Sequence, residues 1–173
     1  MLRHRLFALL PAVLLIACND ATTATSPKAT APALPPVAPA ILSYTGVIET
    51  SGADLIPLYI RVEGGSRIAL AGAETVRLAN VVGAEVTLRG TMDAADALIV
   101  ESFRVVSVAG LEAADGVLVK TADGYALRLL LDGSMLTLID LPDELKAHVG
   151  ERVWVAGPTD AAPVLYGVIG GTT

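Results

Sequence analysis

The chain has 173 residues, is 53% hydrophobic and 17% charged, and carries a formal net charge of −6 with a single cysteine. That acidic balance argues against a nucleic-acid partner, which selects basic surfaces. One cysteine excludes an internal disulfide, so any folded part must hold together by burial.

Arg3, His4 and Arg5 open the chain ahead of an apolar run from Leu6 to Ile16, broken only by Pro11. A spanning helix needs roughly 20 apolar residues, so this run is too short to cross a bilayer by itself. A short apolar core after positive charge has the layout of an export signal. It ends in Leu15-Ile16-Ala17-Cys18, which resembles the bacterial lipobox. The resemblance implies a diacylglycerol on the Cys18 sulfur and removal of a signal peptide, residues 1–17. A thiolate is the strong nucleophile needed to take up a lipid group. Two or three acyl chains hold stably where one is marginal. The partner implied is therefore a lipid bilayer, and the location is the bacterial cell envelope, at the inner or outer membrane with the folded part in the periplasm. The plainer alternative is an ordinary or uncleaved leader with a chance cysteine. Cleavage would remove two arginines and no acid, so 156 of the 173 residues would remain and the net charge would go from −6 to −8.

Residues 18–42 form a linker. It holds Pro27, Pro32, Pro35, Pro36 and Pro39, is otherwise mostly Ala and Thr, and shows no apolar period. Such a segment cannot bury enough to offset its chain entropy. Its proline density favours an extended spacer that holds the folded part off the membrane.

From Ser43 the pattern changes to short alternating runs bounded by glycine, and two halves echo each other. Thr45-Gly46-Val47-Ile48 matches Asp115-Gly116-Val117-Leu118, and Gly65-Ser66 matches Gly133-Ser134. The run from Val82 to Gly90 matches the run from Val149 to Gly157. The order is kept, which points to duplication, in an array too short for a solenoid. Each half parses alike. First strands are expected near Tyr44–Glu49 and Gly116–Lys120, and second strands near Leu55–Val62 and Tyr125–Leu131. Third strands follow near Arg67–Ala71 and Met135–Ile139. A short helix comes next, marked in the second half by Pro142, Asp143 and Glu144 early, Lys146 and His148 late, and Gly150 beyond. Fourth strands are expected at Glu85–Arg89 and Arg152–Val155, and fifth strands at Leu98–Val106 and Val164–Ile169.

Three strands, a helix and two strands in about 60 residues resembles the OB-fold, a five-stranded Greek-key barrel. The expected class is all-β with short helices, as two tandem five-stranded OB-like β-barrels at 43–108 and 109–173. The alternative is a single β-sandwich using every strand. The resemblance implies no function, because the fold hosts many unrelated ones.

The residues offer little chemistry. His148 is the one histidine beyond the leader, and it sits where a helix end favours a cation. One histidine and no free thiol exclude the common zinc and copper sites, and no Asp-rich loop has calcium spacing. No metal or cofactor is expected. Asp93 with Asp96, or Asp143 with Glu144, have the groups for acid–base work, but both pairs fall in expected turns or a helix start. Ala-Asp-Gly at 114–116 and 122–124, and Leu-Asp-Gly at 131–133, read as turns. A carboxylate-dependent hydrolase is thus the weakest reading. A binding or scaffold module for an envelope protein or glycan, without catalysis, is the leading one. A structural or stress-related lipoprotein without a specific ligand is the alternative.

The candidate binding residues are Trp154, Tyr59, Arg61 and Arg128. Val153 and Val155 should point inward, so Trp154 should face the other way, toward the other half, a partner or a sugar ring. Tyr59, Arg61 and Arg128 fall on the outward face of the second strands. That face suits an oligosaccharide or an acidic peptide, or is simply a solvated strand surface. Radiolabelled palmitate supplied to the producing cells is expected to enter the wild-type protein and to be lost completely from Cys18→Ala; an unlabelled wild type would refute lipidation.

Overall fold

The computed structural model describes residues 39–52 and 57–171. The expected signal peptide, Cys18 and the expected linker as far as residue 38 lie outside the described residues. The described chain is mostly β. It runs β1 (Leu42–Thr50), β2 (Leu58–Val62), β3 (Arg67–Ala71), α1 (Thr75–Leu78), β4 (Glu85–Met92) and β5 (Leu98–Val108). Then come β6 (Leu111–Thr121), β7 (Gly124–Leu129), β8 (Met135–Leu138), α2 (Asp143–Lys146), β9 (Glu151–Ala156) and β10 (Leu165–Gly171). The described strands join into one large sheet, antiparallel except for β3 with β5.

The alternating patterns become inward and outward faces. In β4, Val86 and Leu88 are buried while Thr87 and Arg89 face outward. The two α-helices are one turn each, and Leu78 of α1 and Leu145 of α2 are buried in the two core clusters while Val76 of α1 is exposed. α2 has the charge order read from the sequence, with Asp143 and Glu144 in its first turn and Lys146 in its last. Asp143 accepts a 2.7 Å bond from Lys146, which lowers its carboxyl below the ordinary aspartate value.

Strand pairing repeats between the halves. β1 pairs with both β2 and β4, and β6 pairs with both β7 and β9. Gly46 stands opposite Val62 and Val86, and Gly116 stands opposite Leu129 and Val153. A Cβ at Gly46 would strike the Arg61 carbonyl oxygen, and one at Gly116 would strike the Arg128 carbonyl oxygen. Both glycines therefore permit the same close approach of the second strand to the first. A bulge also recurs. The β4–β5 register shifts between Glu85 and Val86, and the β9–β10 register shifts between Val168 and Gly170, opposite Arg152 and Val153. The glycine spacing that repeats in the sequence thus coincides with repeated pairing partners and a repeated bulge.

The halves differ in closure. The first runs as a circuit of pairs, β1–β2–β3–β5–β4–β1, shut by Leu70 opposite Leu98 and Ala71 opposite Ile99. In the second, the order is β8–β7–β6–β9–β10, and no described pair joins β8 to β10. Proline explains the gap. Val155 and Ala156 pair with Tyr166 and Leu165, as Leu88 and Arg89 pair with Phe103 and Ser102. By that register Ala161–Val164 stands where Leu98–Glu101 closes the first half, and Pro163 lies within it. Pro158 likewise holds the place of Thr91. Proline has no amide to give a ladder, so β9 and β10 stop short where β4 and β5 continue.

The halves meet through a hairpin rather than a connecting segment. β5 runs into β6 across Ala109 and Gly110, both at positive φ (51° and 80°). Positive φ at both central residues suits the tight turns that match strand twist. The sequence placed the start of the sixth strand at Gly116; it starts at Leu111 because Ala-Asp-Gly at 114–116 is strand and not turn. The cores are also interleaved. The first cluster holds Ile48, Leu58, Leu78, Leu88, Leu98 and Phe103 together with Ile169 from β10. The second is smaller, with Leu118, Leu127, Leu141, Leu145, Val153 and Val155. Ile169 is fully buried, which by area contributes about 1.5–3 kcal/mol.

Gly46→Ala and Gly116→Ala should each cost about 1–3 kcal/mol in equilibrium urea unfolding, from forced separation of two strands. Gly171→Ala, whose Cβ would meet open space, should stay within about 0.5 kcal/mol of wild type.

Candidate functional site

A buried ion pair fixes how the two halves face each other. Asp115 on β6 and Arg152 on β9 are the buried charged residues of the described chain, 7% and 5% exposed. Arg152 Nε and Nη2 donate to Asp115 Oδ2 at 2.8 and 2.5 Å. The remaining groups turn toward β5 of the first half. Val105 N donates to Asp115 Oδ1 at 2.8 Å, and Arg152 Nη2 donates to the Phe103 carbonyl at 2.5 Å. The guanidinium carbon also lies 4.1 Å above the Phe103 ring centre. A carbonyl at one residue and the amide two residues on share one strand edge. Asp115 and Arg152 therefore satisfy the edge of β5 as a neighbouring strand would.

Trp154 lies next to this pair, opposite Asp115 across β6–β9. It is half-buried and packs against the first core cluster. Its ring covers Gly167, where an added Cβ would come within 2.7 Å of Nε1. Nε1 itself is buried without a hydrogen-bond partner. Of the directions open to it in the sequence, Trp154 takes the one toward the other half.

Tyr59 and Arg61 come together on β2, in a small charged patch. Glu49 on β1 accepts from Arg61 at 2.5 Å and sits 3.2 Å from Arg67 on β3. The Arg67 guanidinium lies 4.5 Å over the Tyr59 ring. Both arginines of the patch are thus engaged with one carboxylate. Arg128 is not part of it. It stands exposed on β7, between Val117 and Met135.

A groove of about 670 Å³ was not legible from the sequence. Its floor is the outer face of β4 and β5, with Thr87, Arg89, Ser102 and Arg104, and its far wall is Leu130 and Leu131 from the β7–β8 turn. Arg89 pairs opposite Ser102 and Thr87 opposite Arg104, so the two arginines are diagonal neighbours. Such neighbours lie about 7–8 Å apart, a span that long side chains can bridge. Arg77 and Arg152 also line the groove, but each has a carboxylate partner, Glu74 and Asp115. Arg89 and Arg104 form no ion pair with a described residue. Leu130 and Leu131 are 49% and 80% exposed beside them. The signal was present as outward positions on two strands of one hairpin, but it needed their register.

The acids weighed for catalysis are in local structure. Asp93 accepts from the amides of Ala95 and Ala97 and closes the β4–β5 turn. Asp143 bonds Lys146 within α2. His148 Nδ1 lies 3.3 Å from Glu151, an ion-pair distance without hydrogen-bond geometry. Among the described residues, no group of three or more His, Cys, Asp or Glu is placed to hold a metal ion.

Asp115→Ala should destabilise the protein by about 3–5 kcal/mol in chemical denaturation, because Arg152 would stay buried without its counter-charge. Asp115→Leu combined with Arg152→Leu should lose less than the sum of the single changes, yet not recover wild-type stability, since Phe103 O and Val105 N keep no partner. No protein family, curated protein or solved structure matches this chain.

Proposed function

We propose that this chain is a lipid-anchored protein of the bacterial cell envelope that binds an envelope protein or glycan and performs no chemistry itself. In this reading Cys18 carries the lipid, the proline-rich linker is the spacer, and two OB-like units form the binding head. The order of strand pairing, the helix between third and fourth strands and the repeated glycine support the OB-like description of both units, the second being an open version of the first. The observation that carries the binding role is the groove floored by Arg89 and Arg104. Glu74 and Glu101 also line the groove, but Glu74 is paired with Arg77, and neither Arg89 nor Arg104 forms an ion pair with a described residue. Unpaired guanidinium groups held as diagonal neighbours repel each other, and an anionic ligand relieves that repulsion. A guanidinium fork fits a planar carboxylate with two parallel bonds. Thr87 and Ser102 line the same floor, and Leu130 and Leu131 offer apolar contact to the rest of the ligand. Tyr59, Arg61 and Arg128 are secondary candidates, because Arg61 already has Glu49.

Isothermal titration of the full-length protein with oligo-glutamate peptides and with a uronic-acid oligosaccharide tests this reading. Binding of either, weakened by salt and reduced at least about tenfold by Arg89→Gln with Arg104→Gln, is the expected result. The peptide arm and the sugar arm separate the two ligand classes. Absence of binding in both, or binding indifferent to the two substitutions, would overturn the assignment.

A further inference from the structure

The missing closure of the second half leaves a defined vacancy in its strand order. In the first half, Leu70 and Ala71 of β3 take a parallel strand at Leu98 and Ile99. Val62 N bonds Ser66 O, as Leu129 N bonds Ser134 O, so the two turns fix the same register. Counted from them, Leu138 and Ile139 are the counterparts of Leu70 and Ala71. They border a cleft of about 450 Å³, whose other wall is Ala156 to Ala161 and Pro163. The Leu129–Ser134 bond also sets the alternation along β7–β8. It commits the main chain of Leu136 and Leu138 to β7 and leaves the amides of Met135 and Thr137 on the free edge. An exposed edge of this kind is a template for another strand. Apolar side chains accompany it, with Met135 and Ile139 exposed and Leu136 and Leu138 half-buried.

We infer that this cleft receives an extended segment of a partner protein, which adds to β8 in the parallel sense and closes the second half as β5 closes the first. This goes beyond the arginine groove and stands or fails separately from it. The chain's own Ala161–Val164 is poorly suited to the place because Pro163 removes an amide. The acceptable occupant is narrowed by what lines the cleft. Its charged lining residues are Glu112 and Asp160, with no lysine or arginine, so the segment should be apolar at alternate positions and basic at its flanks.

The probe is a synthetic peptide carrying the Ala97–Val100 sequence between lysines, titrated into the full-length protein in detergent micelles. Amide shifts and hydrogen exchange read by NMR should change at Met135, Thr137 and Ile139, in a saturable way. N-methylation of alternate peptide bonds in the probe should weaken binding at least about tenfold while leaving the protein untouched. Thr137→Pro should abolish binding and keep the fold, because that amide bonds no strand of the chain. The proposal is overturned if none of these amides responds at millimolar peptide, or if the peptide shifts map to Arg89 and Arg104. It is equally overturned if the edge amides become protected without peptide as a dimer forms, since a second copy would then occupy the cleft.

Discussion

The arrangement of this protein depends on one buried ion pair, Asp115 with Arg152. Its value is not the Coulombic attraction alone, which in a buried setting scarcely exceeds the desolvation cost. Its value is that every polar atom it buries has somewhere to go. The carboxylate takes two bonds from the guanidinium and one from Val105, and the guanidinium passes one on to Phe103. A strand edge that would otherwise need water is covered by side chains from the other half. Trp154 then packs beside the pair, and Ile169 enters the first core. The halves cannot be separated without exposing all of these groups together.

Positions that correspond between the two halves carry different side chains with different partners. Thr45 and Thr87 face each other in the first half and share a 2.9 Å hydroxyl bond on the surface. Their counterparts are Asp115 and Trp154, which belong to the contact between halves. Glu85, half-buried and accepting a 2.9 Å bond from the Ser107 hydroxyl, corresponds to Arg152. The same three backbone positions thus carry bonds within one half and the contact between halves in the other. The backbone devices are common to both halves, namely the close-approach glycine, the bulge and the buried helix leucine. These side chains outside the core differ.

Strand order and the helix in each half were legible because alternation and glycine act locally. Leu58 and Ile60 around Tyr59, or Asp143 to Lys146 in α2, report their own neighbourhood. What was illegible depended on distant partners. Ala-Asp-Gly at 114–116 reads as a turn until Arg152, 37 residues away, is known to bury the aspartate. The groove needed the bulged register that sets Arg89 beside Arg104. Pro158 and Pro163 were in plain view, but a proline only signals an open edge once the matching stretch of the first half is seen to close. Tyr59 and Arg61 were assigned to one outward face, and they share it; the neutralising Glu49 sits on another strand.

The placement of Ile169 has a consequence for how the chain comes to be folded. A side chain from β10 completes the hydrophobic interior built by β1 to β5. Contacts of such wide sequence separation form slowly, since the intervening chain must first be ordered. Any machinery that delivers this polypeptide from its N-terminus, one residue after another, releases an unfinished interior until β10 has followed. The first half then lacks one side chain of its own core until the second half has been made.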